Sequence, residues 1–163
     1  MLGSRSGMAL AVVLAMSAGS LSAADPPRLA LDAAGHTSVV KKLLFTPDGK
    51  ELITVGDDKT IRFWDVATGE PLRVLRPPIG NGPVGKIFAA DLSPDGRTLA
   101  IGGYGFREED YGTIYLISVD RGEVVKRLIG HVSVIHDLTF SPDGQRLLAG
   151  PGTNDEPRIW NVS

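Results

Sequence analysis

His36, Thr54 and Asp58 set an imidazole, a hydroxyl and a carboxylate within one short stretch of chain. Those are the parts of a nucleophilic hydrolase, in which a base activates a hydroxyl and an acid orients the base. Such a nucleophile also needs an oxyanion site and an exposed pocket, and no Gly-x-Ser-x-Gly motif is present. A second stretch, Phe106, Arg107, Glu108, Glu109, Asp110 and Tyr111, places three adjacent acids between aromatic rings. Three acids can contact a cation, but their spacing matches neither a calcium-binding loop nor a catalytic carboxylate pair. Gly102-Gly103-Tyr104-Gly105 is glycine-rich, yet no helix pattern follows it to complete a phosphate cradle. His136 falls among the non-core positions of its segment, which places it at the surface. Without cysteine the chain has no disulfide, thiolate metal site or cysteine nucleophile. Neither a metal nor a cofactor is indicated.

The elements that must position these residues are short strands. With 163 residues there is room for about one domain, and a hydrophobic fraction of 42% can build a core. A net charge of −2 argues against a phosphate-neutralising surface, so nucleic acid is not an expected partner. Residues 1–24 read as a secretory signal: Arg5, the apolar run Met8–Met16, then small residues before a cut after Ala24. That run is too short to cross a bilayer core of about 30 Å, and no other segment is long and apolar enough to span one. The expectation is therefore a periplasmic or secreted mature chain, residues 25–163.

Asp48, Asp95 and Asp143 each stand in a Pro-Asp-Gly triplet, at intervals of 47 and 48 residues. A period of this length signals repeat architecture. Pro pre-sets its φ, Asp bonds forward to the backbone, and Gly accepts a positive φ, so each triplet reads as a turn. Before each turn lies an apolar set at i, i+3 and i+5: Val40, Leu43 and Phe45; Ile87, Ala90 and Leu92; Ile135, Leu138 and Phe140. This spacing suits a strand with a bulge, where one extra residue shifts the side-chain phase. Further short β-rich runs follow each turn, and nothing after residue 24 holds a helical period. The mature chain is read as all-β, with twelve strands if Arg28–Asp32 is counted.

The first repeat opens with Gly35-His36 and closes with Trp64-Asp65. On these residues and the period, the chain resembles the WD-repeat β-propeller family. The resemblance implies four-stranded antiparallel blades in repeats at about 35–76, 77–129 and 130–163. Three blades make an incomplete ring, since propellers close with four to eight. Either a longer protein or an assembly of copies would complete it, with the N-terminal strand finishing a last blade.

The resemblance also implies that His36, Thr54, Asp58 and Trp64 form a structural tetrad of hydrogen bonds rather than a catalytic site. The second repeat lacks Gly-His and has Ile117-Ser118 at the Trp-Asp place. The third keeps Gly130-His131 and Trp160, but has Ala149 at the hydroxyl position and Asn161 at the terminal Asp. His131 and Trp160 are thus a partial structural site, and both later blades are expected to be held mainly by apolar packing. The Phe106–Tyr111 insertion falls on the face that the family most often uses for partners. The implied function is a non-enzymatic scaffold that binds proteins or peptides. The alternatives are a regulatory propeller region of a larger kinase-like or caspase-like enzyme, or a propeller hydrolase.

Overall fold

A hydroxyl residue precedes each Pro-Asp-Gly triplet, and together they dictate the same hairpin three times. Thr46 Oγ1 donates to Asp48 Oδ1 at 2.7 Å, Ser93 to Asp95 at 2.6 Å, and Ser141 to Asp143 at 2.5 Å. The same carboxylates accept the backbone N–H of Lys50, Arg97 and Gln145. Gly49, Gly96 and Gly144 close the turns with φ of 70°, 74° and 70°, a left-handed conformation that disfavours a side chain.

The computed structural model describes residues 35–77, 81–105 and 111–162. Eleven strands are described, with no helix among the described residues, in three antiparallel sheets. The first holds β1 (Val40–Phe45), β2 (Glu51–Gly56), β3 (Ile61–Asp65) and β4 (Pro71–Leu75), in that spatial order. The second holds β5 (Ile87–Leu92), β6 (Thr98–Gly103), β7 (Ile114–Ser118) and β8 (Val124–Leu128). The third holds β9 (Ile135–Phe140), β10 (Arg146–Pro151) and β11 (Arg158–Asn161). These are propeller blades in an incomplete ring. The signal segment, residues 1–24, and the expected strand Arg28–Asp32 lie outside the described residues.

The first strand of each sheet carries a bulge. Pairing skips Lys41, Phe88 and His136, so each is an extra residue in its ladder. A backbone bond fixes the spot each time: Asp57 N to Val39 O, Tyr104 N to Lys86 O, and Gly152 N to Val134 O. In the first two sheets Gly56 and Gly103 face the bulge, where a Cβ would run into the carbonyl oxygen of Val39 or Lys86.

Alternation past the bulge gives each sheet two apolar faces, and the sheets stack through them. The forward face of the first sheet (Leu44, Ile53, Val55, Ile61, Phe63) packs on the rear face of the second (Ala90, Leu99, Ile101, Tyr115, Ile117). The forward face of the second (Ala89, Ala100, Ile114, Leu116) packs on the rear face of the third (Leu138, Leu147, Ala149, Trp160). Asp91 reaches across this second interface and accepts the Phe140 N–H at 2.6 Å. β5 packs between β1 and β9, and Lys42 of β1 meets Asp137 of β9 at 3.0 Å, so the first strands gather at one centre.

The outermost faces differ. Leu43 and Phe45, which match the buried Ala90 and the half-buried Leu92 by register, are 64% and 65% exposed. With Leu52, Trp64 and Val66, Phe45 lines an apolar depression of about 330 Å³. On the forward face of the third sheet Leu148 and Ile159 are exposed too. An uncovered patch of this kind favours association. Light scattering after size exclusion should show apparent mass rising with concentration. Replacing both residues (Leu43→Ser and Phe45→Ser) should suppress that rise while changing stability by less than about 0.5 kcal/mol per site. A concentration-independent mass in the parent chain would contradict this.

Candidate functional site

The loop entering β1 carries His36, β2 carries Thr54, the β2–β3 turn carries Asp58, and β3 carries Trp64. β2 and β3 pair in register, with Leu52 opposite Trp64 and Thr54 opposite Arg62, so Thr54 and Trp64 share the rear face. His36 Nδ1 lies 3.0 and 2.9 Å from the two oxygens of Asp58, which assigns the ring proton to Nδ1. Nε2 then accepts, and Thr54 Oγ1 donates to it at 2.7 Å. Trp64 Nε1–H donates to the same Thr54 oxygen at 2.8 Å. The proton order is Trp64 to Thr54 to His36 to Asp58. Every link has one donor and one acceptor.

Asp58 takes further bonds that the sequence reading did not include: the Thr37 N–H at 3.0 Å, the Thr60 N–H at 3.1 Å and the Thr60 hydroxyl at 2.8 Å. Burial by itself would raise the Asp58 pKa. The bonds from His36, Thr60 and the Thr37 N–H outweigh burial and hold it below its ordinary 3.8. The Thr54 hydroxyl is buried and committed on both sides, as donor to imidazole and acceptor from indole. It has no open face to present to a substrate. The arrangement ties the entering loop to β2 and β3.

The third sheet repeats half of this. His131 Nδ1 meets Asp155 Oδ2 at 3.0 Å, and the Val132 N–H donates to the same oxygen at 2.8 Å. Sequence reasoning left Asp155 out and expected this sheet to be held mainly by apolar packing around a partial site of His131 and Trp160; the structure adds this polar tie. Asp155 stands three residues before β11, as Asp58 stands three before β3, and that offset is the signal that finds it. Where Thr54 would stand is Ala149. His131 Nε2 and Trp160 Nε1, the atoms that a hydroxyl there would join, are both buried without a hydrogen-bond partner among the described residues. In the second sheet Ile101 and Ile117 occupy the Thr54 and Trp64 register positions, and both are buried in the apolar core.

Of the expected partner-binding loop, Phe106, Arg107, Glu108, Glu109 and Asp110 lie outside the described residues. Tyr111 is exposed, and its ring meets that of Tyr104 edge-on at 5.9 Å. Among the described residues no group of three or more His, Cys, Asp or Glu is placed to hold a metal ion.

Three stacked, bulged sheets with a buried His–Thr–Trp relay define an array of propeller blades. A family model described as "WD domain, G-beta repeat" matches residues 30–65 and 122–161. The unmatched residues between them include β5, β6 and β7 of the sheet without the relay, while β8 falls in the second match. The serine-threonine kinase receptor-associated protein of Gallus gallus is 27% identical over 163 residues, covering 79% of this chain and 44% of its own length. An uncharacterized WD repeat-containing protein of Synechocystis is 30% identical over 139 residues, covering 84% of this chain and 36% of its own. The guanine nucleotide-binding protein subunit beta of Solanum tuberosum is 32% identical over 131 residues, with 77% and 33% covered. These matches support a WD-repeat family for the chain. It spans less than half the length of these curated relatives.

Thr54→Ala orphans both the imidazole and the indole, and thermal or urea unfolding should show a loss of about 2–4 kcal/mol. Ala149→Ser supplies the missing bridge in the third sheet and should raise stability by roughly 1 kcal/mol. A neutral result for both substitutions would mean that the relay does not hold the sheets.

The hydrogen bonds that lower Asp58 also have a pH signature. Turn bonds from Thr46, Ser93 and Ser141 lower Asp48, Asp95 and Asp143 in the same direction. Each carboxylate stays ionised in the fold where the unfolded chain already takes a proton, so its contribution is present above 3.8 and lost below it. The melting midpoint should therefore fall as pH drops below about 4. Asp58→Asn should start lower at neutral pH and fall less steeply, as measured by circular dichroism melts across pH 2–7.

Proposed function

We propose that this chain is an exported, non-enzymatic protein-interaction scaffold. The observation that carries the reading is the division of labour among its polar residues. The groups that resemble a hydrolase are buried in a closed relay, while aromatic and charged side chains stand at the loop edge of the sheets. Rigid sheets with exposed loop residues suit presentation of contacts to another protein. The names of two relatives support the same role: one is called a receptor-associated protein and another a subunit. Export rests on the character of residues 1–24, with a cut after Ala24. Specificity is assigned to the Phe106–Tyr111 loop and the loops around His36 and His131.

A second reading concerns assembly. The exposed Leu43 and Phe45 on one end sheet, and Leu148 and Ile159 on the other, favour copies that stack end to end and complete a ring.

The experiment expresses the full chain, recovers it from outside the cytoplasm and uses it as bait in a pull-down. The recovered chain should begin at Asp25. Replacing residues 106–110 with a Gly-Ser linker should abolish capture while leaving the melt unchanged. A cytosolic chain with an intact N-terminus would overturn export, and undiminished capture would remove the loop from the site.

A further inference from the structure

The extra residue of each bulge is the one position that the ladders leave free to point elsewhere, and the three extra residues meet. Lys41 Nζ sits over the Phe88 ring, 5.1 Å from its centroid. Phe88 and His136 stack at 5.7 Å with 23° between planes. Tyr104 meets Phe88 edge-on at 5.4 Å, and Tyr111 continues the row beyond Tyr104. Lys86 joins from the segment entering β5. It and Lys41 flank one carboxylate, Asp57, at 3.6 and 3.7 Å. The result is a continuous rim drawn from all three sheets, with His136 and Tyr111 exposed, Phe88 and Tyr104 half-buried, and both lysines about a third exposed.

Two features of this rim point to a ligand class. The lysine–Asp57 separations exceed hydrogen-bond length, and Asp57 Oδ1 has no hydrogen-bond partner among the described residues. One carboxylate therefore faces two ammonium groups without bonding either tightly. The aromatic row beside them offers flat apolar surface of the kind that anchors side chains at interfaces.

We propose that this rim binds an acidic segment of a protein partner, one with an aromatic residue close to its carboxylate. The carboxylate bridges Lys41 and Lys86, and the aromatic side chain lies on the Phe88–Tyr104–Tyr111 row. The proposal rests on the scaffold reading and deepens it.

The test uses the full chain and three fluorescein-labelled hexapeptides in fluorescence anisotropy at low salt. The probe is Ser-Glu-Phe-Glu-Tyr-Ser. One control replaces both Glu by Lys, and the other replaces Phe and Tyr by Ser. The probe should bind more tightly than either control. The Lys41→Gln/Lys86→Gln pair should weaken it by roughly tenfold, two exposed charge contacts being lost. Asp57→Asn removes the competing carboxylate and should strengthen binding, an outcome that impaired folding cannot mimic. Equal binding of the Lys control, or no change in the lysine pair, overturns the proposal. Partner capture that survives Lys41→Gln/Lys86→Gln but is lost on loop replacement would overturn this rim and leave the scaffold reading standing.

Discussion

A sheet with two apolar faces cannot stand alone in water. This constraint shapes the whole structure. Leu44, Ile53, Val55, Ile61 and Phe63 make sense only because the second sheet covers them, and Ala89, Ala100, Ile114 and Leu116 only because the third does. Each sheet is thus at once a cover and something to be covered. The arrangement repeats without an internal reason to stop, which is why its two outermost faces keep exposed apolar side chains.

Against that uniform packing, the polar relays are individual. The first sheet satisfies an imidazole, a hydroxyl, an indole and a carboxylate in one directed chain. The third keeps the imidazole–carboxylate half and, among the described residues, leaves two ring nitrogens unpaired around Ala149. The second replaces the whole device with isoleucine. Apolar stacking therefore sets the fold, and the relays tune how firmly each entering loop is tied down. The same comparison explains why residues that look catalytic are unavailable for chemistry: their lone pairs and protons are already spent on one another.

Much of this was legible in the sequence, for local reasons. The three turns follow from Pro-Asp-Gly, and the bulges follow from apolar residues at i, i+3 and i+5, because both are dictated by residues adjacent in the chain. The tetrad positions were legible through the Gly-His and Trp-Asp pairs of the first repeat. Asp155 was missed because it lies 24 residues after its histidine, where Asp58 lies 22 after its own. A longer connection moved the residue while leaving its offset from the next strand intact. The exposure of Leu43 and Phe45 was illegible for a different reason. Their apolar character matches that of buried counterparts, and only the presence of a neighbouring sheet separates the two cases. The meeting of Lys41, Phe88 and His136 was equally hidden, since it joins positions far apart in the chain.

The bulges also set where the chain can change length. The connection holding residues 106–110 separates strands that pair normally, and extra residues there leave both ladders in phase. Removing Phe88 alone would also spare the ladder: Ile87, opposite Gly103, would directly precede Ala89, opposite Gly102, and the two would keep their opposite faces. What would go is the ring that meets Lys41 and His136. Removing a paired residue such as Ala90 does the opposite. Ala89 would then take its place, and a residue meant for the third sheet would face the first. Drift in repeats of this kind should accumulate as loop growth and as gain or loss of bulges, with the paired positions held to a fixed count.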